Sequence, residues 1–236
     1  MNSQLSLSLV RRCRRMACLP ALALLAMALA MVAWPPGASA YPKPSLFPIS
    51  WEFKFEHCLP RRIAVMVPGS TTPQAFWYVT FTLTNDTGQE RNFIPAFDML
   101  TNDGTVIHSD AGIPNAVFEA IKLREHNLPK LEPLSKIAGK LLQGEDQARD
   151  GVAIWAEPMP RMGSFSIFVS GLSGEACILK DGQETVIKDW SQETPENRAK
   201  LVILFKTLQL KYQIPGDDVH GGQDAVVDKG QEWIMR

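Results

Sequence analysis

Residues 75–88 read AFWYVTFTLTNDTG, and this stretch decides the fold class. Trp77, Val79, Phe81 and Leu83 fall on one face at period two. Thr80, Thr82 and Thr84 follow Phe76 and Tyr78 on the other. Aromatic and β-branched residues in strict alternation predict a strand with one buried face. The threonine face is less apolar, so it is expected to be only partly covered. Asn85, Asp86, Thr87 and Gly88 then supply turn chemistry, because Asn and Asp tolerate the left-handed region and Gly enters it freely. A second strand should follow at once and make this the central hairpin of a sheet.

Upstream, residues 41–48 hold three prolines and form a lead-in. In residues 50–57, Trp51, Phe53 and Phe55 alternate with Glu52, Lys54 and Glu56, a half-buried strand with a charged outer face. Ile63, Val65 and Val67 make a short strand stopped by Pro68 and Gly69. Downstream, Phe93, Phe97 and Met99 alternate with Asn92 and Asp98 around Pro95. A proline cannot donate to a ladder, which places this strand at an edge or bulge. The turn at Thr101, Asn102, Asp103 and Gly104 leads to a strand over residues 105–108. Residues 114–127 give the one convincing helix: Pro114 suits the first turn, Val117, Phe118 and Ile121 form an apolar stripe, and Glu119, Lys122, Arg124 and Glu125 point outward. It is expected to cross the open end of the sandwich.

Further strands are expected at residues 136–142, 152–155, 164–170, 176–179 and 201–213, with at most one helical turn after Thr194. Residues 215–228 form a Gly/Asp-rich tail, and Trp233, Ile234 and Met235 an apolar end that can dock back. About nine or ten short strands, one short helix and turn signals every 8–12 residues predict a mainly β fold, a two-sheet immunoglobulin-like sandwich.

The N-terminus reads as a targeting segment. Arg11, Arg12, Arg14 and Arg15 precede an uninterrupted apolar run over residues 21–32, and Ala38, Ser39 and Ala40 form a cleavage site. Residues 1–40 are expected to be a signal peptide, with 41–236 the exported β-sandwich domain, periplasmic or secreted. An uncleaved anchor is the alternative, although a membrane span needs about 20 apolar residues. Of 24 basic side chains those four leave, so 20 remain against 25 acidic ones, a net of −5. That balance carries no electrostatic footprint for nucleic acid.

Cys58 and Cys177 survive cleavage, and an oxidising compartment permits a bond between them. Such a bond would close a loop of roughly 120 residues and stabilise by about 4–5 kcal/mol in the chain-entropy view. Two unpaired thiols are the alternative.

No H-E-x-x-H, C-x-x-C, P-loop or G-x-G-x-x-G motif is present. Gly171, Leu172, Ser173 and Gly174 fall one residue short of G-x-S-x-G and read as a hairpin turn. His57, His108, His126 and His220 lie in four separate segments. Three acidic clusters remain: Asp217, Asp218, His220 and Asp224; Asp103, His108 and Asp110; and Glu145, Asp146 and Asp150 beside Arg149. The first has carboxylates that could hold a divalent cation but reads first as a solvated flexible tail. A glycosidase pair needs two acids about 5–10 Å apart in a cleft, and nothing in the sequence places any two of these in one. No catalytic, cofactor-binding or metal-binding residue is therefore assigned. Asn85, Asp86 and Thr87 match a glycosylation sequon, which the turn role already explains.

At residues 76–88 and 145–155 the chain resembles uncharacterised secreted bacterial proteins. These share an aromatic strand ending in Asn-x-Thr-Gly and a Gly-Glu…Asp-Gly-Val-Ala-Ile-Trp segment. The spacing from Gly144 and Glu145 to Gly151 and Val152 is similar to that of small extracytoplasmic immunoglobulin-like domains. The resemblance implies a sandwich and export and carries no site residue. The first expectation is a non-enzymatic exported module, binding or structural, whose partner is an unknown protein or polysaccharide of the envelope. The alternatives are a hydrolase or metal-dependent enzyme using the acidic clusters, and a carbohydrate-binding module. The last needs two or more of Trp51, Tyr78, Trp155 and Trp190 exposed and coplanar.

Overall fold

The computed structural model describes residues 41–158, 162–186, 194–215 and 225–236, so the expected signal peptide lies outside it. The described residues form fourteen strands. In chain order these are β1 (Lys54–His57), β2 (Arg61–Val65), β3 (Gln74–Thr84), β4 (Arg91–Phe93), β5 (Ala96–Leu100), β6 (Val106–His108) and β7 (Glu132–Pro133). There follow β8 (Gly139–Leu141), β9 (Arg149–Ala156), β10 (Ser164–Ser170), β11 (Ala176–Lys180), β12 (Gln183–Thr185), β13 (Leu201–Gln213) and β14 (Val227–Met235). The helices are α1 (Asn115–Arg124), α2 (Leu134–Ile137) and α3 (Pro195–Arg198).

The stretch read first is β3, the middle of the first sheet. β1 and β2 pair with successive halves of one edge of β3, and β9 pairs along the other. β7 continues the sheet beyond β9 in parallel. The second sheet runs β12, β11, β13, β10, β5, β6, with β14 also on β13. Trp77, Val79, Phe81 and Leu83 point from the first sheet into a core shared with Phe97, Met99, Phe165, Ile167, Val169, Leu208, Leu210 and Tyr212 of the second. The fold is thus mainly β, with two large sheets around one core as in a β-sandwich. Aromatic rings knit the layers: Phe81 stacks on Phe97 at 5.0 Å, and Trp77 meets Phe165 at 5.9 Å.

The other face of β3 is not the half-open threonine face expected. Thr80 and Thr84 are buried. Phe76 and Tyr78 join Val152 and Ile154 of β9 under Val117 and Ile121 of α1, a second core on the outer side of the sheet. The helix therefore covers a sheet face rather than an open end. Its apolar stripe needs a flat apolar surface, which Phe76 and Tyr78 supply.

The expected hairpin at Asn85 does not form. β4 leaves β3 and pairs with β8 in a two-stranded ribbon. Asn85 is buried; its Nδ2 donates to the carbonyls of Gln89 at 2.8 Å and Leu141 at 3.0 Å. A sequon whose amide is spent inside the fold has no group to offer a glycan. Pro95 splits the following run in two, and β5 lies between β10 and β6, inside the sheet rather than at its edge. Residues 136–142 are not one strand either: α2 occupies Leu134–Ile137 and only Gly139–Leu141 pairs. Residues 50–57 also divide. Glu52 bridges to Ser173 and Phe53 N–H donates to the Leu172 carbonyl, so this end meets the connection from β10 to β11 while β1 pairs with β3. That connection is not a hairpin, because β10 and β11 both pair with β13 instead.

The long strand β13 and the helical turn after Thr194 form as expected, and the C-terminal end docks back as β14 along β13. Cys58 and Cys177 are unpaired. Cys58 leaves the end of β1 with its N–H on the Thr80 carbonyl, in the first sheet. Cys177 lies opposite Leu204 in the second.

Candidate functional site

Asp103, His108 and Asp110, grouped in the sequence, go to separate places. Asp103 closes its own turn, accepting from the Thr101 hydroxyl and, at 3.1 Å, from Thr105 N–H. The Thr101 hydroxyl, with help from that N–H, holds its carboxyl below the usual carboxylate range. His108 turns outward on β6, its Nδ1 2.6 Å from Asp98 Oδ1 on β5. Asp98 Oδ2 meets Arg236 at 2.8 Å, and that guanidinium lies 4.5 Å over the Phe168 ring. The pairing accounts for Phe168, the residue that breaks the alternation of β10: an aromatic on the outer face is roofed by an arginine. Asp110 instead crosses to the first sheet, where its N–H donates to the Ile154 carbonyl at 2.7 Å. Its Oδ2 is buried without a hydrogen-bond partner, and burial pushes its pKa up to about 6. Asp217, Asp218, His220 and Asp224 lie outside the described residues. Among the described residues no group of three or more His, Cys, Asp or Glu gathers to hold a metal ion.

Two buried ionic clusters were not legible as such. Glu125, read as outward, is only 3% exposed at the end of α1. It accepts from Tyr78 Oη at 2.6 Å and from Arg61 at 2.7 Å, tying the helix to β3 and β2. Burial pushes its pKa up, and the Tyr78 and Arg61 hydrogen bonds more than reverse this, so the net shift is downward. Lys206, 3% exposed in β13, contacts Glu52 Oε1 at 2.5 Å and Glu175 Oε2 at 3.1 Å under the Trp233 ring. The second contact is an ion pair without hydrogen-bond alignment, since Glu175 Oε2 has no hydrogen-bond partner. Glu175 Oε1 accepts from Ser45 N–H at 2.7 Å, which anchors the proline-rich lead-in. Burial pulls the ammonium pKa down, but the two carboxylates outweigh it and the net shift is up.

One polar cleft brings sequence-flagged acids together. It has a volume of about 450 Å³ and Leu131 in its lining. Lys122 of α1 and Lys130 stand with Glu132 of β7, Asp146, and Arg149 and Asp150 of β9. Arg149 Nε donates to Glu132 at 3.0 Å and its Nη2 to the Lys136 carbonyl at 3.1 Å, fixing the start of β9 to the neighbouring segments. Asp150 accepts from Thr82 Oγ1 at 2.7 Å, and Asp146 from Gln147 at 3.0 Å. The sequence flagged Asp146, Arg149 and Asp150 but not their partners, which come from α1 and from the segment after it.

The other feature is apolar. Ile94 is 79% and Phe205 51% exposed. With Trp51 they line a cavity of about 330 Å³, floored in part by Gly171 and Gly174. Ile203, also exposed, continues the face of Phe205 along β13, opposite Ile178 of β11. A side chain at Gly174 would strike the Trp51 indole and the Ser50 hydroxyl, so glycine leaves the room that the ring occupies. The Arg91 guanidinium sits 5.0 Å from the Trp51 ring. Of the four aromatics that a sugar platform would draw on, Tyr78 and Trp155 are core residues, and Trp190 lies outside the described residues.

Comparison with protein-family models, with curated proteins and with solved structures gives no match. Among the described residues no helix is long and apolar enough to cross a membrane.

Proposed function

We propose that the chain is a non-enzymatic exported module, an immunoglobulin-like sandwich that works by binding a partner in the cell envelope or outside it. The observation that carries this reading is the pair of exposed side chains Ile94 and Phe205 beside the half-buried Trp51, with exposed Ile203 two residues from Phe205 along β13. Large side chains kept in water at one place mark contact surfaces, because exposing them costs solubility without adding stability. The separate positions of Asp103, His108 and Asp110 support the same reading. Export rests on the charge and hydropathy pattern of residues 1–40, and the immunoglobulin-like assignment on two mostly antiparallel sheets around one core.

A second reading, an exported hydrolase, has one observation in its favour: Asp146 and Asp150 share a cleft. Thermal melting with divalent cations, with EDTA and with envelope glycans separates the readings. A ligand that binds only the folded state raises Tm by mass action, by about 2.7 kcal/mol of stability at a hundred times its Kd. The binding-module reading predicts no response to cations or EDTA. A saturable rise with a cation would favour the enzyme, and one with a glycan would make the partner a polysaccharide.

A further inference from the structure

We infer that the polar cleft beside α1 is a binding site for a small zwitterion, an amino acid or short peptide with both termini free. The inference rests on the binding-module reading and names a ligand for a second surface of the same domain. Its volume of about 450 Å³ lies within the range of small-molecule sites. Three cations (Lys122, Lys130, Arg149) and three carboxylates (Glu132, Asp146, Asp150) line it.

Only Arg149 and Glu132 neutralise each other. Among the described residues neither lysine, and neither Asp146 nor Asp150, has an opposite charge within 4.0 Å; the Lys122 ammonium has only the Phe118 ring, at 6.0 Å. The cleft thus holds two uncommitted ammonium groups, on α1 and the segment after it, and two uncommitted carboxylates, one on each side of Arg149 in sequence. A plain anion would meet Asp146 and Asp150, and a plain cation would meet the lysines. A molecule carrying one ammonium and one carboxylate satisfies both, with charge-assisted hydrogen bonds at each end. Thr82 fixes Asp150 and the Arg149–Glu132 pair fixes the wall, so part of the site is set before a ligand arrives.

Isothermal titration of the purified protein with alanine, trialanine, N-acetyl-trialanine and trialanine amide tests this. Alanine or trialanine is expected to bind, and the tighter of the two sets the length. Blocking either terminus should weaken binding about tenfold or more, as for loss of a hydrogen bond to a charged group. Lys130→Ala and Asp146→Ala should each do the same with Tm unchanged, since both side chains are exposed. No binding of either free ligand at millimolar concentration, or equal binding of the blocked forms, would overturn the inference and leave the apolar-face reading intact. Release of free alanine from trialanine would keep the site but overturn the non-enzymatic reading.

Discussion

Asp110 sits at φ 59°, a left-handed conformation that Asp and Asn adopt more readily than bulkier residues. Its carboxyl, buried beside the first sheet, titrates near 6 instead of near 3.9. The folded state therefore binds its proton more tightly than the unfolded chain does. Stability should fall as pH rises from about 4 to about 6, by up to about 3 kcal/mol, and change no further above that. Asp110→Asn keeps the backbone and removes the titration. Urea unfolding at pH 4 to 8 should show a flatter profile for the variant and higher stability at pH 7. Lys206 makes the opposite case, a buried charge that is matched. Lys206→Met leaves Glu52 and Glu175 facing each other without their cation and should cost about 3–5 kcal/mol. Adding Glu52→Gln and Glu175→Gln to it should recover much of that loss, which chemical denaturation of the single and triple variants would measure.

At the scale of elements, β3, β9 and α2 close on one another at a glycine. Gly151 of β9 lies opposite Phe81 of β3, and a Cβ there would collide with Phe81 Cζ and with Ile137 Cδ1 of α2. Gly151→Ala should lower stability by about 1–3 kcal/mol, as overpacking does, and differential scanning calorimetry should show a correspondingly lower Tm. Strands were legible wherever period-two alternation met a two-sided environment, as in β3, β5, β10 and the second half of β13. Alternation reports which face is apolar but not which strand lies alongside. For that reason the Asn85 hairpin and the edge position of Pro95 were misread, and residues 50–57 looked like a single strand although they serve both sheets. The threonine face of β3 was misjudged because Phe76 and Tyr78 recruit α1, a contact between segments some forty residues apart.

At the scale of the molecule, the export expected from residues 1–40 suggested a disulfide, yet Cys58, at the end of β1, and Cys177, in the second sheet, are both free. Tm should be the same with and without reductant, and thiol titration of the unfolded chain should find both groups in a product that begins at Tyr41. The candidate sites were only partly legible for a related reason. Asp146, Arg149 and Asp150 stand close in sequence, whereas Lys122, Lys130, Trp51, Ile94 and Phe205 are gathered from distant segments by pairing that composition does not encode. The face around Trp51 is proposed to meet a partner. The most direct test places a photo-crosslinking residue at Ile94, at Phe205 and, on the exposed side of α1, at Glu119, in cells that make the protein. A discrete adduct of one common partner is expected from positions 94 and 205 and none from 119. No adduct at 94 and 205, or the same adduct from all three, would contradict the proposal.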